Sequence, residues 1–140
     1  MPVQSDVVDT IAGFALFADL TGPQLQEIGH TFDEAWFGAR ERILRQGVSG
    51  SGFYVIVEGS AAIRVNGVDR STLKAGDYFG EISALLGEVP VADIVAVQPL
   101  RCLVLPATQL EPFLTRHPRI MFRLLQGEAR KLKHTTTWVS

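Results

Sequence analysis

A stretch near the middle of the chain, residues 74–97, constrains the fold more than any other part of the sequence. It is KAGDYFGEISALLGEVPVADIVAV: a short aromatic strand, a glycine, a short apolar helix, a second turn and a β-rich run. A glycine before a helix lets backbone N–H groups face an anion, and the helix dipole favours negative charge there. The carboxylate of Glu81 cannot bind the same anion, but it can accept hydrogen bonds from neutral hydroxyls. The stretch therefore predicts a site for a sugar phosphate.

Short β-type segments separated by turn residues occur on both sides of this stretch. Residues 53–57, FYVIV, form an almost continuous apolar run that is typical of a strand inside a two-layer roll. Asn66–Gly67 predicts a tight hairpin, because a type I′ turn needs positive φ at both positions. Residues 100–105 supply a last apolar strand that contains Cys102. We predict an α+β fold whose centre, residues 32–106, is an eight-stranded jelly-roll-like β-roll.

Helical patterns flank the predicted roll. Thr21–Gly22–Pro23 indicates a helix start, and we expect residues 1–31 to form N-terminal helices that lead into the roll. Pro106 ends the roll, and we expect residues 107–140 to form a short C-terminal helix and a longer one. The longer helix carries a single predicted apolar stripe, formed by Met121, Leu124, Leu125, Ala129 and Leu132. We expect its basic residues, Arg130, Lys131 and Lys133, to form a solvated face.

Length and charge limit the class of protein. The chain has 140 residues, a formal net charge of −2 and one cysteine. This length predicts one domain over residues 1–140, and the charge gives no sign of a surface for nucleic acid. No apolar run approaches the length of a membrane span, and a single cysteine fits a reducing compartment. We therefore expect a cytoplasmic domain that binds neither nucleic acid nor a membrane.

The sequence lacks the usual patterns of catalytic and metal sites. His30, His117 and His134 are isolated, and none lies on a predicted strand of the roll, as a metal-binding cupin would require. Ser83 has no histidine at a suggestive spacing, and Cys102 would be inert in a core. We predict that the chain is not an enzyme and uses no metal or cofactor.

The motif FGEISALL, with its Gly–Asp lead-in and the β run after it, resembles the phosphate-binding cassette of cyclic nucleotide-binding domains. That family includes the sensor half of bacterial catabolite-activator-type regulators, the regulatory subunits of cyclic-AMP-dependent kinase, and cyclic-nucleotide-gated channels. The segments ERILRQG and GFYVIVEGS also resemble its early strands, and the resemblance covers about residues 16–132. It implies cyclic AMP or cyclic GMP as the ligand. The implied ligand-binding residues are Phe79, Gly80, Glu81, Ile82, Ser83, Pro90, Val91 and Ala92.

The resemblance also implies roles within this set. Gly80 and the N–H groups of Ile82 and Ser83 would face the phosphate, and Glu81 would hold the ribose 2′-hydroxyl. The terminal helix would close over the base, with the threonines at 135–137 as base contacts. It would also contact a protein partner or a second copy of the chain.

One departure from the family pattern concerns the phosphate. The family places an Arg shortly after the cassette proline, but here that position is Pro90 or Val91. Charged hydrogen bonds contribute roughly 1.5–3 kcal/mol each, so losing the Arg would weaken binding on the order of a hundredfold. Asp93 would add repulsion, whereas Arg64 or Arg101 would have to supply a replacement charge.

Three functions remain open from the sequence. The first is a sensor that binds a cyclic nucleotide, weakly or in altered form, and transmits through its C-terminal helix. The second is a ligand-independent interaction or dimerisation module on the same fold. The third is a domain that takes a less anionic ligand in the same pocket. Gly80 and Glu81 favour the first function, and Pro90–Val91 favours the second.

Overall fold

The computed structural model describes residues 5–48 and 52–139; the side chains at 5 and 136–139 lie outside this description. The helices are α1 Ser5–Ile11, α2 Gly22–Thr31, α3 Glu81–Leu86, α4 Leu110–Arg116 and α5 Pro118–Val139, with short 3-10 helices at Ala15–Phe17 and Ala107–Gln109. The strands are β1 Asp33–Phe37, β2 Arg42–Leu44, β3 Gly52–Glu58, β4 Ser60–Val65, β5 Val68–Lys74, β6 Tyr78–Phe79, β7 Asp93–Ala96 and β8 Leu100–Pro106. Within the described residues, no helix has both the length and the apolar character needed to cross a membrane.

The strands form two four-stranded antiparallel sheets, in the orders β1-β8-β3-β6 and β2-β7-β4-β5. The hairpin between β4 and β5 turns at Asn66 (φ 52°) and Gly67 (φ 78°), the positive values that a type I′ turn requires. The predicted α+β class and eight-stranded roll are therefore confirmed.

The central strands of one sheet, β3 and β8, are buried on both faces. On β3, Phe53, Val55 and Val57 pack into a core shared with the helices, whereas Ile56 packs into the core between the two sheets. Both faces of this strand therefore need apolar side chains, which explains the unbroken apolar run in the sequence. On β8 the same alternation places Leu103 with the helices and Cys102 between the sheets.

The N-terminal helices pack on the helical face of this sheet. The helix α2 begins with a capping box: the backbone N–H of Gln24 donates to the Thr21 hydroxyl (3.3 Å), and the Thr21 N–H donates to the Gln24 side chain (2.9 Å). Two N–H groups that a helix start would leave unbonded are thereby satisfied. The helix start predicted at Thr21–Gly22–Pro23 is confirmed.

Only part of the apolar stripe predicted on the long helix α5 is buried in the structure. Ile120 and Leu124 are buried, whereas Met121, Leu125 and Leu132 are 41%, 62% and 69% exposed. Of the predicted stripe, only Leu124 therefore packs into the core, whereas its other members lie on the exposed side of the helix. The helix meets the rest of the molecule along a narrow line, so an apolar residue one position away from that line faces outward.

Candidate functional site

A cavity of about 280 Å³ lies where α3 and α5 meet the β-roll. All of the ligand-binding residues predicted from the sequence line this cavity: Phe79, Gly80, Glu81, Ile82, Ser83, Pro90, Val91 and Ala92. The other lining residues are Leu44, Ile63, Ser71, Leu73, Tyr78, Ile94 and Lys131. The structure thus brings the predicted residues together around one space, and their role in binding a ligand stays a prediction.

The turn between β6 and α3 is held tightly at Gly80. Its φ of 85° and ψ of −4° are left-handed, and a Cβ at this position would collide with the carbonyl oxygen of Gly52 on β3. On one side of the turn, the ring of Phe79 stacks on Tyr54 with centroids 4.7 Å apart. On the other side, the Ser83 hydroxyl donates to the Gly80 carbonyl (3.3 Å). The start of α3 is therefore fixed at the edge of the cavity.

Glu81, the first residue of α3, is a buried carboxylate that lines the cavity. Only 3% of the residue is exposed. Its Oε1 accepts a hydrogen bond from the Lys131 ammonium group at 2.7 Å. Its Oε2 is buried and has no hydrogen-bond partner among the described residues. A buried carboxylate oxygen without a donor is costly, so this atom is suited to accept a hydrogen bond from a ligand hydroxyl.

Lys131 brings a positive charge from α5 to the cavity. Its Nζ also donates to Glu128 (3.2 Å) and lies 4.8 Å from the centre of the Tyr78 ring. The prediction that Lys131 belongs to a solvated face is wrong, because α5 crosses the cavity and directs this side chain towards Glu81. Half of the Lys131 side chain remains exposed, so its methylene chain covers the cavity edge while its ammonium group is paired.

Burial and neighbouring charges shift the pKa values of Lys131, Glu128 and Tyr78, which surround Glu81. Burial lowers the pKa of Lys131, but the charge and hydrogen bond of Glu81 outweigh it, and the pKa is raised. Burial, together with the adjacent Glu81 carboxylate, raises the pKa of Glu128. Burial also raises the pKa of Tyr78 to about 12. At neutral pH, Lys131 therefore carries its positive charge and Tyr78 keeps its proton.

The residues that the sequence analysis discussed in relation to a phosphate lie in different surroundings. Pro90 is buried, whereas Val91 is 57% exposed at the cavity edge. Asp93 does not line the cavity; it accepts the backbone N–H of Gln46 (2.7 Å). Neither of the suggested replacement arginines lines it either. Arg64 is paired with Asp69 (2.7 Å), and Arg101 is buried on β8, between β1 and β3 in the sheet.

Arg101 instead forms ion pairs with three carboxylates that lie away from the cavity. Its guanidinium pairs with Glu34 (3.2 Å), Glu58 (3.1 Å) and Asp6 (3.3 Å), and it lies over the Trp36 ring. These partners come from α1, β1 and β3. Arg101 therefore links the N-terminal lead-in to the roll and cannot also serve a ligand in the cavity.

The remaining residues that the sequence analysis considered for chemistry or binding lie away from the cavity or make contacts within the protein. Cys102 is fully buried, and burial raises the pKa of its thiol to about 12. In the part of the chain that the structure describes, no cluster of three or more His, Cys, Asp or Glu side chains could hold a metal ion. The hydroxyl of Thr135 donates to the Lys131 carbonyl (3.1 Å). The proposed base contacts at 136 and 137 lie outside the described side chains.

Sequence reasoning missed seven of the residues that line the cavity, and two of these, Tyr78 and Lys131, lie in the charged cluster around Glu81. Tyr78 lies directly before the predicted set, and Lys131 lies 50 positions after Glu81. Tyr78 could have been found from its position in the aromatic strand. Lys131 carries no local signal, because its role depends on where a distant helix packs.

The fold and this cavity define a class of ligand-binding domain, and comparison with known proteins identifies the class. The family model of the cyclic nucleotide-binding domain matches residues 34–117, which is more than half of the chain. The chain belongs to the cyclic nucleotide-binding domain family. The predicted family resemblance is thereby confirmed.

Individual relatives match the chain as one part of a larger protein. The chain is 30% identical over 105 residues to the cGMP-dependent protein kinase egl-4 of Caenorhabditis briggsae, a match that covers 71% of the chain and 14% of the kinase. The crystal structure of the Thermus thermophilus catabolite activator protein is 25% identical, with a TM-score of 0.81, over 89% of this chain and 61% of that one.

A second similar structure is the regulatory domain of Toxoplasma gondii PKA, which was crystallised with cAMP. It is 22% identical with a TM-score of 0.75, and the match covers 91% of this chain and 49% of that one. This similarity concerns the fold. In each comparison the chain spans less than two thirds of the relative's length.

Proposed function

We propose that the chain is a single non-catalytic regulatory domain that binds cyclic AMP or cyclic GMP in the cavity between the roll, α3 and α5. The observation that carries this proposal is the unpaired side-chain oxygen Oε2 of Glu81. Its Oε2 lines the cavity, is buried and has no donor among the described residues, as expected of an acceptor for a ribose hydroxyl. Family membership and the turn at Gly80 support the same reading.

The ligand would act on the rest of the protein through α5. This helix contributes Lys131 to the cavity and packs Leu124 into the helical core, so it connects the site with the outer surface. An occupied cavity would change the balance between α5 positions and thereby shift a partner or dimer equilibrium. A ligand can do this only if its affinity differs between the two positions.

Calorimetric titration of the purified chain with cyclic AMP and cyclic GMP tests this function. Val91→Arg is the informative variant, since position 91 is exposed at the cavity edge, whereas Pro90→Arg places a charge at a buried position. We expect measurable binding by the unmodified chain and about a hundredfold tighter binding by Val91→Arg. No binding by either protein would contradict the proposal.

A second candidate function rests on a different surface. Phe122, Leu125, Ala129 and Leu132 are exposed on α5 and alternate at spacings of three and four residues. This is the spacing of a coiled-coil seam, and it fits a ligand-independent dimer of the chain through its C-terminal helix.

Sedimentation of the unmodified chain and of Leu125→Glu tests this candidate. We expect the unmodified chain to dimerise and the variant to be monomeric, because a buried carboxylate would have no partner in the seam. Val68→Glu, which introduces the same charge at a half-exposed apolar residue on β5, is the control and should remain dimeric. A monomeric unmodified chain would exclude this function and leave the sensor proposal standing.

A further inference from the structure

We propose that Lys131 of α5 determines whether the cavity accepts an anionic ligand, because it balances the charge of Glu81 in a site where Pro90 and Val91 supply no cation, and holds Glu81 with one oxygen free. This inference rests on the proposed function. It assigns the specificity of that site to a residue on the helix that would transmit the signal.

The contacts of Glu81 divide its two oxygens between protein and cavity. Oε1 is held by Lys131 at 2.7 Å, whereas Oε2 is buried without a partner among the described residues. A carboxylate that is fixed through one oxygen presents the other in a defined direction. Lys131 therefore orients the acceptor and leaves it available for a hydroxyl donor.

The charges of the cavity also depend on Lys131. Among the described residues that line the cavity, Lys131 is the cation and Glu81 the anion, and the remaining lining residues are uncharged. With the pair intact, a phosphate meets a site without net charge. With the ammonium group removed, the phosphate would meet the unbalanced carboxylate of Glu81, in surroundings that screen charge poorly. Glu128, which lies 3.2 Å from the same ammonium group, would add to this repulsion when ionised.

The position of Lys131 depends on how α5 packs. One turn before it, Gly127 lies against the hydroxyl end of Tyr78, and the Tyr78 hydroxyl donates to the carbonyl of Leu124 at 3.5 Å. The Lys131 ammonium group lies above the same tyrosine ring. The positive charge is therefore at the cavity only when α5 is docked on β6. An anionic ligand would bind the docked helix more tightly than the undocked one, and this difference in affinity would couple occupancy to helix position.

Titrations with two ligands separate the charge of Lys131 from its structural contribution. Cyclic AMP is anionic, whereas adenosine carries the ribose hydroxyls without a phosphate. The variants are Lys131→Gln, which can still donate to Glu81 but has no charge, and Lys131→Arg, which keeps the charge. Lys133→Gln is the matched control, because it makes the same change on the same helix at an exposed position that does not line the cavity.

We expect Lys131→Gln to weaken cyclic AMP binding about tenfold to a hundredfold. Adenosine binding should change little in this variant, which also shows that the variant is folded. Lys131→Arg should retain most of the affinity for cyclic AMP, and Lys133→Gln should behave as the unmodified chain.

Two results would overturn the inference while the proposed function stands. One is a loss of cyclic AMP affinity in Lys131→Gln no larger than in Lys133→Gln. The other is an equal loss for adenosine and cyclic AMP, which would assign Lys131 a purely structural role. If the unmodified chain binds neither ligand, the proposed function fails and the inference fails with it.

Discussion

At the scale of single residues, the site is formed by side chains whose surroundings differ from what their residue types suggest. Glu81 is charged but buried, and Val91 is apolar but half-exposed. Lys131 lies in a basic stretch of α5, yet its ammonium group forms an ion pair with the buried carboxylate of Glu81. Each exception lies at the cavity, as expected if the proposed ligand site rather than a stable core determines these residues.

The backbone at Gly80 gives the first residue-scale prediction. Gly80→Ala should destabilise the fold by roughly 1–3 kcal/mol for the left-handed backbone, and further because its Cβ meets the Gly52 carbonyl. Gly87→Ala at the other end of α3 is the control, since it has a φ of 66° but no atom within 4 Å of its Cβ. Urea unfolding should show the larger loss for Gly80→Ala. Equal losses would mean that the contact with β3 does not matter.

Local sequence patterns could predict the residues of the cassette but not all of those around it. Gly80 and Glu81 were found because a glycine between a strand and a helix has a limited set of uses. The contribution of Lys131 could not be found, since it depends on a contact across 50 positions. Arg101 was suggested as a phosphate partner and is a buried structural residue, which only its three carboxylate neighbours reveal.

At the scale of elements, α5 contributes both to the core and to the lining of the cavity. Its first turns pack Ile120 and Leu124 into the core, and its middle places Gly127 against Tyr78 and Lys131 at the cavity. The sequence predicted this helix but not which of its faces packs against the rest of the molecule. The direction in which a helix packs is set by its neighbours, which are not visible in its own periodicity.

The contact between α5 and β6 gives a prediction at this scale. Gly127→Ala would place a methyl group against the Tyr78 hydroxyl, so we expect α5 to shift from β6 even though alanine favours helix formation by about 1 kcal/mol. Hydrogen exchange of α5 amides should become faster.

The double variant Gly127→Ala/Tyr78→Phe removes the hydroxyl that the methyl group meets, and exchange should return towards that of Tyr78→Phe alone. An additive effect of the two substitutions would show that this contact does not hold the helix.

At the scale of the whole molecule, ion pairs connect parts that are distant in the sequence. Asp19, after the first 3-10 helix, accepts hydrogen bonds from Arg123 (2.7 Å) and Arg119 (3.2 Å) of α5. Arg101 connects α1 with two strands of the roll. The lead-in, the roll and the terminal helix are therefore joined by charges as well as by the core.

The Asp19 contacts predict how stability depends on pH. The hydrogen bond from Arg123, with the arginine charges, lowers the pKa of Asp19 from its ordinary value of 3.8 to about 2. A carboxyl group with a lowered pKa in the folded state contributes stability above its ordinary pKa, and this contribution is lost as the pH falls towards 2.

The measurement is thermal unfolding of the unmodified chain and of Asp19→Asn between pH 7 and pH 2. We expect a constant difference in stability above about pH 4 and a shrinking one below it. A difference that does not change across this range would contradict the assigned ion pair.

The central claim is that ligand binding in the cavity and the position of α5 are coupled, and hydrogen–deuterium exchange with and without cyclic AMP tests it most directly. We expect slower exchange in α3 and in residues 118–139, with β1, none of whose residues lines the cavity, unchanged as an internal control. Slower exchange in α3 alone would contradict the coupling. Unchanged exchange throughout, at a saturating concentration of cyclic AMP, would contradict the binding site itself.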